Sequence, residues 1–504
     1  MKVAKNIPVL EGLKKVSLYL WALLFAFLAC FFFSSSTSPL YPYTNIDWIN
    51  LDSNFFLYEA NLWRQGGVPY VDFFDHKGLF HIALDYVGLA MGGRYGVFSL
   101  QILAGFIGLV FFFKSIALLA PTQKEWILFA GIAYFGVYSI SPCGNSEGEW
   151  ILPFVSAGFY FFVKGIKTAR LSAFRLACFF AGLEVGLGLN SRPLDALWGG
   201  AMVVAYFVYY LRQKMGLELL YDALIAIFGC LIPFAIFLPI ASAGGYLSLM
   251  FQNVFSEGLV YIKMPLDNVE TWLNRLLILG VFALEFFLYR LQIKRGDRFI
   301  GEFFFVSASI SSILYFVCAR YTSYYWSGYT FYLLNLIYGL SLVKPVALPR
   351  WSLGKKTSLI FGSLLTVWAC SFLTLYYTVG YGDFSAHNAQ TIAEVITTTI
   401  PEATRMSPGK VFAIDCDAGV YTIGGITTGD KYFANQSWWA RFTPEVKEDI
   451  KAYLTSAKRP EYLLVSETNI WTHDNFGATI DAHYAAIDGT KERSQGQFTI
   501  YHVL

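Results

Sequence analysis

At 504 residues, with 56% hydrophobic, 18% aromatic and only 14% charged side chains, the chain is too apolar for a soluble protein, in which about 25% of residues carry charge. A formal net charge of +2 provides no global basic field, which argues against a nucleic-acid partner. The cysteines are scattered and show no Cys-x-x-Cys or Cys/His spacing, so neither a disulfide framework nor a zinc site is indicated.

In chain order, the first apolar run covers 16–33 and follows Lys14 and Lys15. It is long for the core of a cleaved signal peptide, and many similar runs follow, so it reads as a first membrane span. Further runs lie near 97–113, 126–141, 150–163, 171–189, 195–211, 219–240, 272–290, 299–318, 326–343 and 357–379. The expectation is therefore a polytopic α-helical membrane protein of about eleven spans. The connecting loops alternate in charge. Lys2 to Lys15, Lys114 and Lys124, Lys164 to Arg170, Arg212 and Lys214, Lys294 to Arg298, and Lys344 to Lys356 fall on one side, while the other loops are acidic. By the positive-inside rule the N-terminus is cytoplasmic and the C-terminus extracytoplasmic, in a multi-pass cell-membrane protein.

The first outer loop, 34–96, is the richest in polar groups. Asp47, Asp52, Glu59, Asp72, Asp75 and Asp85 stand there against Arg64, Lys77 and Arg94. Polar groups held at a membrane surface are costly unless they act, so chemistry is expected in this loop. Residues 54–64 read as a helix whose Phe55, Tyr58 and Leu62 share one face, expected to lie on the membrane surface. Asp52 then falls at the N-cap, where it either caps or acts; Asn54 could cap equally well. The stretch Val68-Pro69-Tyr70-Val71-Asp72-Phe73-Phe74-Asp75-His76-Lys77-Gly78 follows. Lys77 is either a snorkelling lysine that neutralises Asp72 or Asp75, or a cation for a lipid phosphate. His76 and His81 with Asp72 and Asp75 could hold a divalent metal, or could simply be hydrogen-bonded to one another. The segment 79–93, interrupted by His81 and Asp85, reads as an interfacial helix.

Two other outer loops contribute. Cys143-Gly144-Asn145-Ser146-Glu147-Gly148-Glu149-Trp150 puts two carboxylates at a helix start, where the helix dipole alone would favour them. Arg192, before Pro193, and Arg320, before Tyr321, each sit at an outer edge against the charge bias. Each is explained either by an anionic ligand or by pairing with Asp195 or Glu147. The aromatic cluster Tyr321, Tyr324, Tyr325, Trp326 and Tyr329 reads foremost as an interfacial belt.

After Gly380 the composition becomes that of a soluble domain. Lys410–Asp415 and Glu461–Ser466 read as buried strands, Thr391–Thr399 and Pro444–Leu454 as helices, and Gln497–Val503 as a closing strand. The division expected is 1–380, a membrane catalytic domain, and 381–504, a small α/β domain outside the cytoplasm.

The order of these elements resembles the GT-C superfamily of membrane glycosyltransferases, such as protein O-mannosyltransferases and the aminoarabinose transferase of lipid A. The resemblance rests on Asp52, Phe56, Gly66-Gly67, Pro69-Tyr70, Asp75-His76-Lys77-Gly78-Leu79, Gly144-Asn145-Ser146-Glu147 and Arg192-Pro193, and on Val411–Asp415, Val420-Tyr421 and the strand after Arg459-Pro460. It implies a polyprenyl-phosphate-sugar donor, a glycan, lipid or protein acceptor, and inversion at the sugar carbon. Asp52 would be the catalytic base, with Lys77, Arg192 and Arg320 on the donor phosphate and Asp72, Asp75, His76, Asn145, Glu147 and Tyr321 contacting substrate. The chain departs from the pattern at Ser53, where a second acid is common. The proline expected after Lys77 is absent, as is the late histidine in Arg320-Tyr-Thr-Ser-Tyr-Tyr; metal use and sugar identity stay open there. Two rivals remain. A polymerase or ligase with a lipid-pyrophosphate donor would carry its large loop mid-chain. A transporter or flippase would show repeats and more mid-bilayer charges than Glu184 and Glu285.

Overall fold

The computed structural model describes residues 18–34, 36–39, 51–119, 144–258, 269–294, 298–318, 389–441, 443–494 and 496–504, with 127, 130–132, 134, 135 and 335. The helices of the membrane part are α1 (Leu18–Phe33), α2 (Leu51–Arg64), α3 (Leu79–Gly92), α4 (Arg94–Leu119), α5 (Glu147–Thr168) and α6 (Leu171–Leu189). They continue with α7 (Ala196–Arg212), α8 (Gly216–Ala243), α9 (Val269–Lys294) and α10 (Arg298–Cys318). Among the described residues, four helical stretches are long and apolar enough to cross a membrane: Arg94–Leu119, Leu171–Leu189, Pro193–Arg212 and Gly216–Ala243. The expected spans near 326–343 and 357–379, and most of 126–141, lie outside the described residues.

Small side chains set the packing of the first helix. Ala22, Ala26 and Ala29 are fully buried on one face of α1, letting its backbone approach its neighbours closely, as membrane helices need when lipid provides no hydrophobic drive. Helix α6 packs against both α5 and α8, and α4 against α1, α3 and α5. On α8, Leu217, Leu224, Phe228 and Leu231 stay exposed, an apolar surface suited to lipid rather than water.

The C-terminal domain is α/β. It comprises α11 (Ala389–Thr399), β1 (Val411–Ile414), α12 (Pro444–Thr455), β2 (Tyr462–Ser466), β3 (Tyr484–Ala486) and β4 (Phe498–Val503). The sheet order is β1-β2-β4-β3, with β1 and β2 parallel and the other pairs antiparallel. Val411 and Ala413 join one apolar cluster while Phe412 and Ile414 join the other. Both faces of β1 are therefore covered, which is why it reads in sequence as an unbroken apolar run. The strands and helices expected in this region are found within one or two residues. The three-residue β3 was too short to leave a pattern.

Two expectations about the first loop need correction. Helix α2 begins at Leu51, so Asp52 lies inside its first turn and not at the N-cap. The Phe55–Tyr58 face is helical as expected, but its partner is the C-terminal domain rather than the membrane surface. Phe55 stacks on Phe433 and Tyr58 on Tyr421, both at 4.8 Å between ring centres. Asn54 Nδ2 donates to Asp417 Oδ1 at 2.8 Å, and the Phe74 amide donates to the Lys431 carbonyl at 2.9 Å. The aromatic face matched two environments equally well, and only the fold chose between them. Asn54→Ala should cost about 1.5–3 kcal/mol, the worth of a hydrogen bond to a charged group. Denaturant unfolding followed by tryptophan emission checks this, and an unchanged midpoint would show that the contact does not hold the domain.

Candidate active site

Lys77 and Arg192 are far apart in sequence and are brought together by main chain. The Gly78 amide donates to the Ser191 carbonyl at 2.6 Å, and the Phe80 amide to the Asn190 carbonyl at 2.8 Å. A Cβ on Gly78 would come within 2.3 Å of the Asn190 carbonyl, so only glycine lets the strands of backbone meet here. Tyr70, in the left-handed region at φ 63°, donates its hydroxyl to the Lys77 carbonyl at 2.7 Å and braces the loop from the other side.

The third partner, Glu147, starts α5 and is set by a buried polar network. Asn145, also left-handed at φ 57°, donates its amide to Glu149 Oε2 at 2.8 Å and its side-chain nitrogen to Asp85 Oδ2 at 2.6 Å. Its side-chain oxygen faces His81 Nε2 at 3.2 Å and accepts from Trp150 Nε1 at 3.2 Å. Gln101 donates to the same Glu149 oxygen at 2.9 Å. With Gly144 at φ +90° pressed against Ser34, this network ties α3, α4 and α5 to the end of α1 and orients the first turn of α5.

The resulting cluster alternates in charge. Lys77 Nζ is 3.6 Å from Glu147 Oε1, and Arg192 Nη1 is 3.7 Å from Glu147 Oε2. Arg192 grips Asp195 with two hydrogen bonds, at 3.1 and 2.8 Å. Lys77 also sits 4.4 Å from the Phe56 ring centre, a cation–π contact. Asp75 accepts from the His76 amide at 2.7 Å, and its carboxylate lies 3.2 Å from His76 Nδ1. Burial alone would lower the Lys77 pKa, but Asp75, then Asp52 and Glu147, more than offset it and hold the ammonium charged. Asp52 itself is exposed on the first turn of α2.

Burial pushes Glu147 up, yet Arg192 and then Lys77 pull it further down, from an ordinary 4.5 to about 2. Because the folded value is depressed, its stabilising contribution is complete above pH 4.5 and is lost as pH falls towards 2. Thermal unfolding across that window should show the loss in the native chain, and Glu147→Gln should flatten the curve there. An equally steep fall in the variant would assign the effect to other carboxylates. Burial and then Asp75 push the fully buried Glu59 well above the ordinary range. Lys77 and His76, in turn, hold Asp75 below it against its own burial.

Placed in the fold, the expected site residues separate into groups. Asp52, Asp75, His76, Lys77, Glu147 and Arg192 gather around the loop. Asp72 lies on an exposed turn, where its carboxylate accepts from the Val68 amide at 2.7 Å. The Asn145 side chain is buried and engaged on every side by protein. Arg320 and Tyr321 lie outside the described residues. The four residues weighed as metal ligands do not converge. Among the described residues, no group of three or more His, Cys, Asp or Glu side chains is arranged to hold a metal ion. Sequence reasoning passed over Glu59 and Tyr70 as working parts; their alternation with apolar neighbours looks like any amphipathic helix or turn. His76 is half-buried with its ring edge-on to Trp439 of the C-terminal domain at 4.8 Å, a contact no local pattern announces.

Helical spans, a polar first loop gathered over α3, α5 and α6, and an α/β domain seated on that loop make up a GT-C-like fold. The chain has an α-helical polytopic membrane fold of this kind. The chain belongs to the competence-induced protein Ccs4 N-terminal domain family, whose model matches residues 10–290. That description names a condition of induction and no reaction. No curated protein matches the chain. The fold is similar to ArnT from Cupriavidus metallidurans in the apo state, at TM-score 0.58 and 14% identity over 98% of each chain. It is also similar to the same protein bound to undecaprenyl phosphate, at TM-score 0.60 and 12% identity over 98% of each. The Archaeoglobus fulgidus oligosaccharyltransferase in complex with Zn and sulfate matches at TM-score 0.50 and 10% identity, over 97% of this chain and 73% of that one.

Proposed function

We propose that the protein is an inverting glycosyltransferase that moves a sugar from a polyprenyl-phosphate donor to an envelope glycan, lipid or protein acceptor at the outer face of the membrane. The observation that carries this reading is the buried Lys77 and the partly buried Arg192, joined across Glu147, next to the exposed carboxylate of Asp52. Two cations held at the head of a membrane helix bundle suit the phosphate of a lipid, and a nearby accessible carboxylate suits proton removal from a hydroxyl. The neighbouring structure that holds undecaprenyl phosphate has the same fold, which supports a lipid phosphate as the ligand class.

In this reading Asp52 accepts the proton of the acceptor hydroxyl as its oxygen bonds to the anomeric carbon. The bond from that carbon to the phosphate oxygen breaks on the opposite face, and the electron pair leaves with the phosphate. Lys77 and Arg192 stabilise the charge gathering on the leaving phosphate, at no reorganisation cost because the fold already holds them in place. The described C-terminal domain, seated on α2 through Phe433 and Tyr421, would roof the acceptor side.

Loop charge supports an N-terminus inside and residues 381–504 outside. A C-terminal reporter active only outside the cytoplasm should give signal, and one active only inside should not; the reverse result overturns the orientation. The reaction is tested with purified protein, a polyprenyl-phosphate sugar and envelope acceptor fractions, followed by mass spectrometry of the products. Absence of transfer from any such donor, in protein that binds undecaprenyl phosphate, would move the reading to a lipid-binding or lipid-moving role.

A further inference from the structure

Arg192 meets two carboxylates in different ways. Asp195 takes two of its nitrogens at 3.1 and 2.8 Å, which are hydrogen-bond lengths. Glu147 lies 3.7 Å from Arg192 Nη1 and 3.6 Å from Lys77 Nζ, beyond hydrogen-bond length on both sides. Glu147 is 2% exposed, and among the described residues its Oε1 accepts no hydrogen bond. A buried carboxylate suspended between two cations, without a close bond to either, is balancing charge rather than making its best contacts. A phosphate bound by Lys77 and Arg192 would have to approach this same space.

The charge count limits which phosphate can do so. Around this point the described residues place Asp52, Asp75, Glu147 and Asp195 against Lys77 and Arg192, four carboxylates against two cations. A phosphodiester linking sugar to polyprenol adds one negative charge, whereas a diphosphate linkage adds at least one more. In a site this buried, each added charge a few ångströms from Glu147 is strongly disfavoured.

We propose that Glu147 is a specificity-determining residue. It holds the space between Lys77 and Arg192 and admits a lipid carrying one phosphate while rejecting a lipid diphosphate. This inference rests on the donor site proposed above. Glu147 thus acts against one class of ligand, a discrimination by repulsion. The depressed pKa of its carboxyl means that the repelling charge is present throughout the neutral range.

The test uses full-length protein in lipid nanodiscs and measures affinity for undecaprenyl phosphate and for undecaprenyl diphosphate on the same preparations. The native chain should prefer the monophosphate. Glu147→Gln should tighten diphosphate binding by at least about tenfold and monophosphate binding by less, so that the preference shrinks. Glu147→Asp, which keeps the charge, should keep the preference. Because both lipids are measured on one preparation, their ratio does not depend on the fraction of protein that has folded. An unchanged ratio in Glu147→Gln, with Lys77→Ala weakening both lipids, overturns the role of Glu147 and leaves the donor site standing. Weaker binding of both lipids by Glu147→Gln also overturns it, making the residue a direct support of the site. Full affinity for both lipids in Lys77→Ala removes the donor site itself, and the inference with it.

Discussion

Asp52→Asn should lower sugar transfer by about 10²–10⁴-fold, the usual worth of a positioned general base, while leaving donor binding in place. An acceptor hydroxyl is a poor nucleophile at neutral pH, and asparagine keeps the shape of aspartate without its proton affinity. Asp52 is exposed on the first turn of α2, where an acceptor could reach it. Glu147 and Asp75, both near Lys77, are poorer candidates. Glu147 is drawn down to about 2 by Arg192 and Lys77, and Asp75 is lowered by Lys77 and His76, so each binds a proton weakly. Asp72→Asn and Asp75→Asn are the controls in an assay that uses a polyprenyl-phosphate sugar and purified protein. Near-normal turnover in Asp52→Asn, or an equal loss in the controls, would show that Asp52 is not the base.

Lys77→Met should be the most disruptive single change in the loop, with two separable consequences. The ammonium is buried, and Asp75 and Glu147 depend on it for compensation. Removing one member of such a buried set typically costs about 3–5 kcal/mol of stability, because the remaining charges are left without a partner. Donor affinity should also fall, by about 1.5–3 kcal/mol for the lost charge-assisted contact. Adding Glu147→Gln should restore part of the stability, since the double variant no longer buries that stranded carboxylate, but should not restore the donor contact made by Lys77. Chemical unfolding of the two single variants and the double variant, with binding of undecaprenyl phosphate measured in parallel, separates the two effects. Simple additivity in stability would mean that Lys77 and Glu147 do not interact as their 3.6 Å separation implies.

Residue composition and period decided a good deal on their own. The apolar runs that became α4, α6, α7 and α8 are long enough to cross a bilayer, and such a length is a property of local sequence. The strands β1, β2 and β4 and helix α12 were legible for the same reason, because continuous burial and 3.6-residue periodicity leave marks within one element. Lys77 and Arg192 could be singled out because a charge at a membrane edge is costly and therefore conspicuous.

Pairing was a matter for the tertiary structure. The Phe55–Tyr58 face was readable as apolar, yet nothing local distinguishes a membrane surface from the Phe433 and Tyr421 rings that cover it. Asp52 passed from cap to first-turn residue because helix α2 starts at Leu51, a boundary that local patterns leave open. Asn145 was expected to contact substrate; the fold gives its side chain the partners His81, Asp85 and Trp150, on two different helices. The meeting of Lys77 with Arg192 depends on main-chain bonds from Gly78 and Phe80 to Ser191 and Asn190, and backbone hydrogen bonds between distant segments leave no trace in side-chain patterning. Sequence could therefore say which charges were costly enough to need a purpose, and only the fold could say which of them share a site.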